Sequence, residues 1–499
     1  MKTIRADVAI VGTGAGGGTA AEILAQHGLR VVLVEEGPLR TAADFDMRES
    51  TAYPQLYQES AARKTLDKAI TILQGRAVGG STTVNWTSSF RTPPETLAYW
   101  SERLGVKACS AAEMAPWFEL MERRLHIAPW NVPPNENNAV LAAGARQLGI
   151  ETGVVPRNVN GCRNLGYCGM GCPVNAKQSM LVTTIPAAIK HGAILLHSTH
   201  AERFDHDGSS VTALVCRDAS DAQITVKARH YILAAGAIGS PAVLLRSGVR
   251  DRGGHTGART FLHPVVLSAA IMPQPVEGFA GAPQSVYSDH FLHLDRIDGP
   301  IGFKLEVPPI HPVLAASTLT GFGEQSASLM SQLPNVQVLI ALLRDGFHDG
   351  SPGGTVRLQD DGTPVLDYPL TPYIWEGARR ALMAMANIQF AAGASSVLPL
   401  HEDAQPYGSL AQAFSAIRGL RMEPLRTRIV SAHVMGGCAM SEDPSQSVVD
   451  SFGSHHELRN LSVFDGSIFP TSLGANPQLS IYGFTARNAT RLARTLTGK

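Results

Sequence analysis

Residues 6–11, ADVAIV, form an apolar run interrupted only by Asp7, followed by the glycine turn GTGAGGG, by TAAEILAQHG with helical spacing and a closing glycine, and by a second apolar run, LRVVLVE. Short apolar runs bounded by glycine read as strands buried on both faces, so the pattern predicts a strand–turn–helix–strand unit ending near residue 36. A polar, aromatic stretch leads to about residue 73, and a second glycine-rich loop, QGRAVGGSTTVNW, occupies 74–86. From about 100 to 150 the spacing is helical, and PWNVPPNENN at 129–138 predicts a surface excursion. Residues 193–235 alternate as strands do and end in HYILAAGAIGSP, where an apolar strand meets a small-residue turn and the chain returns to the first sheet. The stretch from 261 to about 424 is proline-rich and weakly periodic, with a strand-like NVQVLIALL and a helix-like WEGARRALMAMANIQFAAG. From 427 onward come a histidine and glycine turn (SAHVMGGCAM), a strand (NLSVFDG), a proline-bearing loop (FPTSLGANPQ) and a helix (LSIYGFTARNATRLARTL).

These elements predict an α/β fold, α+β overall: a Rossmann-like dinucleotide domain plus a substrate domain with a large antiparallel sheet flanked by helices. The first is expected from three pieces, 1–100, 181–260 and 427–499, with a substrate or cap segment at 101–180 and the substrate domain at 261–426. A length of 499 residues accommodates two such units.

Charge removes several function classes. Lysine plus arginine (42) equals aspartate plus glutamate (42), so no net field gathers polyanions, and nucleic acid is not an expected partner. No apolar run approaches the roughly 18 residues of a membrane span, and the start runs straight into a strand rather than through a secretory leader, so the expected address is the cytoplasm. Six cysteines are too few for a disulfide scaffold.

The chemistry begins at Gly12, Gly14 and Gly17, a G-x-G-x-x-G turn between strand and helix, with Ala15 inside it. That arrangement lets backbone amides at a helix N-terminus approach a pyrophosphate. Glu35, ending the second strand, is placed to accept hydrogen bonds from ribose hydroxyls, and an acid there argues against a 2′-phosphate. The motif alone does not separate NAD from FAD.

The remaining motifs resemble one family. Gly75-Arg76-Ala77-Val78-Gly79-Gly80-Ser81-Thr82-Thr83-Val84-Asn85 is similar to the first signature of the glucose-methanol-choline (GMC) oxidoreductases. Gly236-Ala237-Ile238-Gly239-Ser240-Pro241, continuing VLLRSGV, resembles their second signature, departing where Arg250 replaces a final glycine. The N-terminal unit, the turn around His433 and NLSVFDGSIFPTSLGANPQLSI agree as well, and only 261–424 is loosely matched. The resemblance implies FAD, bound by Arg76, Gly79, Gly80, Ser81, Thr82 and Asn85 of the second loop, by Ala235 and Gly236, and by Asp465, Gly466, Asn476, Pro477 and Gln478 of the tail. Gly79 and Gly80 would permit close backbone approach, with Ser81, Thr82 and Asn85 as small donors. The helix beginning near Leu479 would direct its positive end at the flavin pyrimidine.

The resemblance also implies a catalytic pair. Hydride loss from an alcohol is eased when its hydroxyl proton is removed, and histidine suits that task. His433 occupies the family position of the base and Asn476 that of its partner, which can orient the alcohol oxygen but cannot titrate. His263 is expected at the domain junction or flavin loop without a catalytic role, and His455 and His456 as solvated loop residues.

Cys162, Cys168 and Cys172 lie in one glycine-rich loop, separated by five and three residues. Cysteine spacing closed by a proline is compatible with iron–sulfur ligation, and resembles the three-cysteine motif of family sugar dehydrogenases that pass electrons to a cytochrome. GYCGMGCPVNAKQSM equally resembles a loop of long-chain alcohol oxidases, for which a plain structural loop is the expectation; a disulfide and zinc are the remaining readings. The expected function is FAD-dependent oxidation of a bulky, apolar alcohol, delivering electrons to oxygen, a quinone or a cytochrome, with FKLEVPPIHPVLAAS and its scarcity of charge as the ground for the substrate class. The alternatives are a sugar dehydrogenase with an iron–sulfur relay, a non-oxidative flavin lyase or photoenzyme on the same scaffold, and a flavin-binding subunit without alcohol turnover. Retention of His433 and Asn476 argues against the lyase.

Overall fold

The computed structural model describes residues 2–498 and contains two large sheets. In the first, strands Ile194–Leu196, Val31–Val34, Lys2–Val11 and Gln223–Leu233 lie side by side in parallel. Gln223–Leu233 serves two partners along its length: its first half pairs antiparallel with Val211–Asp218, and its last three residues pair in parallel with Leu461–Val463. The tail thus returns to the sheet that the N-terminus founded. Helix Ala15–Gln26 follows the opening strand, and the closing helix Gln478–Thr497 packs against it. The near-continuous burial of Ala6–Val11 and Val31–Val34 is what a parallel sheet covered on both faces requires.

The second sheet has eight strands, in the order Ile70–Ile72, Ile429–Ser431, Val265–Ile271, Val336–Leu343, Phe303–Glu306, Val286–Ser288 and Gly153–Val154, with Ser396–Pro399 also on Val265–Ile271. It is antiparallel except where Ile70–Ile72 joins Ile429–Ser431 in parallel. Val336–Leu343 is buried at every residue, and helix Pro372–Ala391 lies over it with Ile374, Ala378, Ala381, Leu382 and Met385 turned inward.

Three sequence expectations change. The 101–180 segment does not form one cap: helix Ala111–Arg124 packs on the closing helix of the first unit, because Met114, Phe118 and Met121 make one apolar face that fits there. The 129–138 excursion ends buried. Asn135 caps helix Glu136–Gln147 by accepting the Asn138 amide, and the Asn138 side chain then accepts the Ser285 and Val286 amides at an edge of the second sheet. His455 is also buried, its Nδ1 accepting the Glu457 and Leu458 amides, and burial pushes it down to about 4.

Among the described residues no helix is long and apolar enough to cross a membrane.

Candidate active site

The glycine turn is tight for a packing reason. Gly12 has φ +95°, and a Cβ there would run into the Ala234 carbonyl of the neighbouring strand. A Cβ on Gly16 would meet the Phe464 carbonyl, and one on Gly17 the carbonyl of Gly12, so both glycines let the helix sit against the sheet. Gly16→Ala is therefore expected to lower stability by about 1–3 kcal/mol and to reduce retained flavin, read as a lower thermal midpoint and less flavin per chain.

Gly12, Gly14, Ala15 and Gly16 open onto a cavity of about 830 Å³. No side chain caps the helix that starts at Ala15, so its first amides are free to meet an anion. Gly80, Ser81, Thr82 and Asn85 of the second glycine loop form the facing wall, and Ala235, Gly236, Asp465, Gly466, Asn476, Pro477 and Gln478 close the far side. Glu35 lines the cavity, accepting the Thr13 amide and hydroxyl at 3.1 and 2.7 Å and the Gly37 amide at 2.8 Å. Burial pushes its carboxyl up to about 7, a penalty that hydrogen bonds from a ribose would relieve.

Not every expected contact reaches the cavity. Arg76 is exposed and pairs with Glu36 at 3.9 Å. Gly17 and Gly79 lie behind the wall, Gly79 donating its amide to the Thr13 hydroxyl. The Thr82 hydroxyl turns inward, donating to the Gly79 carbonyl and accepting the Met180 amide. Asp465 lines the wall, but its carboxylate accepts from the Gly236 amide, the Ser240 hydroxyl and the Ser467 amide, which fastens a helix start to the turn after Leu461–Val463. The Gln478 side chain is likewise engaged, with Asn85, Ser88, Ser89, Asn158 and Tyr482. Asn85 and Gln478 act as a tie between the loop and the closing helix.

His433 is placed by strand register. Thr260 pairs with Gly436 and Phe261 with Met435, and continuing that antiparallel register sets His263 opposite His433. Their Nδ1 atoms are 3.3 Å apart. His263 is fully buried in a left-handed conformation, φ 45°, and its Nε2 accepts the amides of Leu473 and Gly474 at 3.2 and 2.9 Å. Two donors on Nε2 require the His263 proton to sit on Nδ1, the nitrogen that faces His433. His433 Nε2 faces the Nδ2 amide of Asn476, a group that only donates, at 3.5 Å. His433 is the expected base of the pair. Burial and then the charge of Lys304 push it down to about 4, so it is neutral throughout the physiological range. His263, expected to be peripheral to catalysis, holds both members of the pair, His433 through Nδ1 and the loop leading to Asn476 through Nε2.

Behind the pair stands a carboxylate that the sequence reading passed over. Glu306 Oε2 accepts from Asn476 Nδ2 at 3.2 Å and from Gln284 Nε2 at 2.8 Å, and burial pushes the group up to about 7. Its Oε1 and the Oδ1 of Asn476 are buried without a partner. Two residues earlier on the same strand, Lys304 is buried between the Phe90 and Tyr287 rings and donates to Asp289 at 2.7 Å. FKLEVPPIHPVLAAS is thus not charge-poor where it meets the site. The signal was the strand period: Lys304 and Glu306 share one face of a strand buried throughout.

The free helix terminus, the glycine walls and Glu35 fit an FAD adenosine and pyrophosphate, and the fold and the site together define a flavin-dependent oxidoreductase. Comparison with known proteins makes the assignment specific. Two models described as GMC oxidoreductase match residues 53–265 and 350–485. An uncharacterized GMC-type oxidoreductase of Mycobacterium tuberculosis is 30% identical over 99% of this chain and 77% of its own length. A long-chain-alcohol oxidase of Arabidopsis thaliana is 29% identical over 99% of this chain and 68% of its own. Among solved structures, a variant of Aspergillus oryzae formate oxidase superposes with a TM-score of 0.74 at 14% identity, covering 99% of both chains, which shows the shared fold. The chain belongs to the GMC oxidoreductase family.

Proposed function

We propose that this protein oxidises a bulky, largely apolar alcohol to its aldehyde or ketone, passing the hydride to FAD. One observation carries the reading: the glycine-walled cleft runs without interruption into a chamber lined by Val265, Leu267, Val338, Ile340, Leu342 and Leu319, with His433 and Asn476 at the junction. Bound in the cleft, FAD supplies a two-electron acceptor. His433 Nε2 takes the hydroxyl proton as the hydride leaves, which its neutral form allows. Asn476 orients the alcohol oxygen. Glu306 stands behind the pair and fixes the Asn476 amide, accepting from Asn476 Nδ2 and Gln284 Nε2. Apolar walls exclude water from the developing alkoxide.

The similarity to a plant long-chain-alcohol oxidase supports the substrate class. So does the wall, since a sugar pocket would present several polar groups to the substrate hydroxyls. The test is anaerobic bleaching of the flavin by primary alcohols of increasing length. Each buried methylene contributes about 0.8 kcal/mol, so the apparent second-order rate of reduction is expected to rise about fourfold per carbon until the chamber is full. Reduction by sugars with no response to long alcohols would select the sugar dehydrogenase instead.

A further inference from the structure

The cysteine loop is not used by this chemistry. Cys162, Cys168 and Cys172 are free, half-buried thiols around a pocket of about 20 Å³, room for roughly one water. Among the described residues no group of three His, Cys, Asp or Glu side chains is arranged to hold a metal ion. Two buried cations stand beside the loop. Arg157 directs Nη2 at the Cys168 sulfur from 3.6 Å, and Lys177 lies on the same pocket wall. A partly accessible thiol next to fixed positive charge is the setting in which thiolates form and react. The other three cysteines, Cys109, Cys216 and Cys438, are fully buried, and burial pushes their thiols up, as it does that of Cys162.

Lys177 also connects the loop to the cofactor cleft. Its ammonium donates to the carbonyls of Cys168, Thr83 and Asn85 at 2.7, 2.6 and 3.0 Å. Asn85 lines the cleft and is tied to Gln478, and Tyr57, another residue of that wall, donates to the Gly169 carbonyl at 2.6 Å. A change in the turn Cys168–Met170 therefore moves the anchor of the second glycine loop.

We propose that Cys168 is a peroxide-reactive thiol that closes onto Cys162 as a reversible disulfide and thereby alters the flavin environment. The oxidant is hydrogen peroxide, the product whenever oxygen re-oxidises a reduced flavin. The Cys168 thiolate attacks one peroxide oxygen and the O–O bond breaks, leaving a sulfenic acid and hydroxide. The Cys162 sulfur then attacks the Cys168 sulfur, the S–O bond breaks, and the thiol proton leaves with the departing oxygen as water. In total two thiols and one peroxide become one disulfide and two waters. Arg157 Nη2 points at the attacking sulfur, and the Cys162 sulfur receives the Asn164 amide at 3.4 Å, which orients it within the loop.

The experiment treats the pre-reduced holoenzyme with hydrogen peroxide, alkylates the remaining thiols and maps the peptides. The expected result is loss of two alkylatable thiols, a linked Cys162–Cys168 peptide, a shift in the bound-flavin spectrum, and reversal of all three by dithiothreitol. Cys168→Ser should abolish the linkage and Cys172→Ser should preserve it. The wild-type peptide map decides the matter even if a variant fails to fold. Thiols that stay reduced under excess peroxide, a linkage through Cys172, oxidation of Cys168 without a disulfide, or iron bound in stoichiometric amount with the thiols blocked would each overturn the proposal.

Discussion

In His433→Ala, anaerobic reduction of the bound flavin by an alcohol is expected to slow by about two to three orders of magnitude, while the protein retains its FAD. The reason is local. His433 Nε2 faces Asn476, whose amide cannot titrate, so no second member of the pair can take the alcohol proton. The residues proposed to hold the adenosine and pyrophosphate lie elsewhere on the cavity wall, on the turn at Gly12 to Gly16 and at Glu35. Rapid mixing of the FAD-loaded variant with substrate measures the step directly. Reduction within a few-fold of wild type would remove His433 from the chemistry. Loss of flavin together with activity would show that it acts through cofactor binding.

Local pattern made the first sheet legible. An apolar run followed by glycine is a short-range signal, and Gly12, Gly16 and Gly17 answer to contacts a few ångströms away in the same unit. His433 and Asn476 could be placed through family resemblance, and the structure brings them within 3.5 Å of each other. What was not legible is long-range. His433 meets His263, and through it the Leu473 and Gly474 amides, only when Thr260–Phe261 pairs with Met435–Gly436.

Glu306 and Lys304 escaped for a related reason. FKLEVPPIHPVLAAS reads as poor in charge, whereas its strand buries Lys304 and Glu306 on one face behind His433 and Asn476. The Cys168 turn is a third case, because its attachment to the second glycine loop runs through Lys177, whose own sequence neighbours announce nothing.

The pH dependence of flavin reduction separates the two groups able to take the alcohol proton. A base works in its deprotonated form, so the rate rises with pH through the base's pKa and levels off above it. His433 is held at about 4 and Glu306 at about 7. With Glu306 as acceptor, reduction would climb through about pH 7, and Glu306→Gln would remove that inflection and lower the plateau by about two to four orders of magnitude. Glu35 is also held at about 7, which is why the variant is needed: an inflection surviving in Glu306→Gln would belong to the cofactor cleft. The expected profile, flat from pH 5 upward and falling only near 4, assigns the role to His433. Glutamine at 306 keeps an oxygen for Asn476 Nδ2 and Gln284 Nε2 to donate to, so any loss there measures the missing charge rather than a collapsed network.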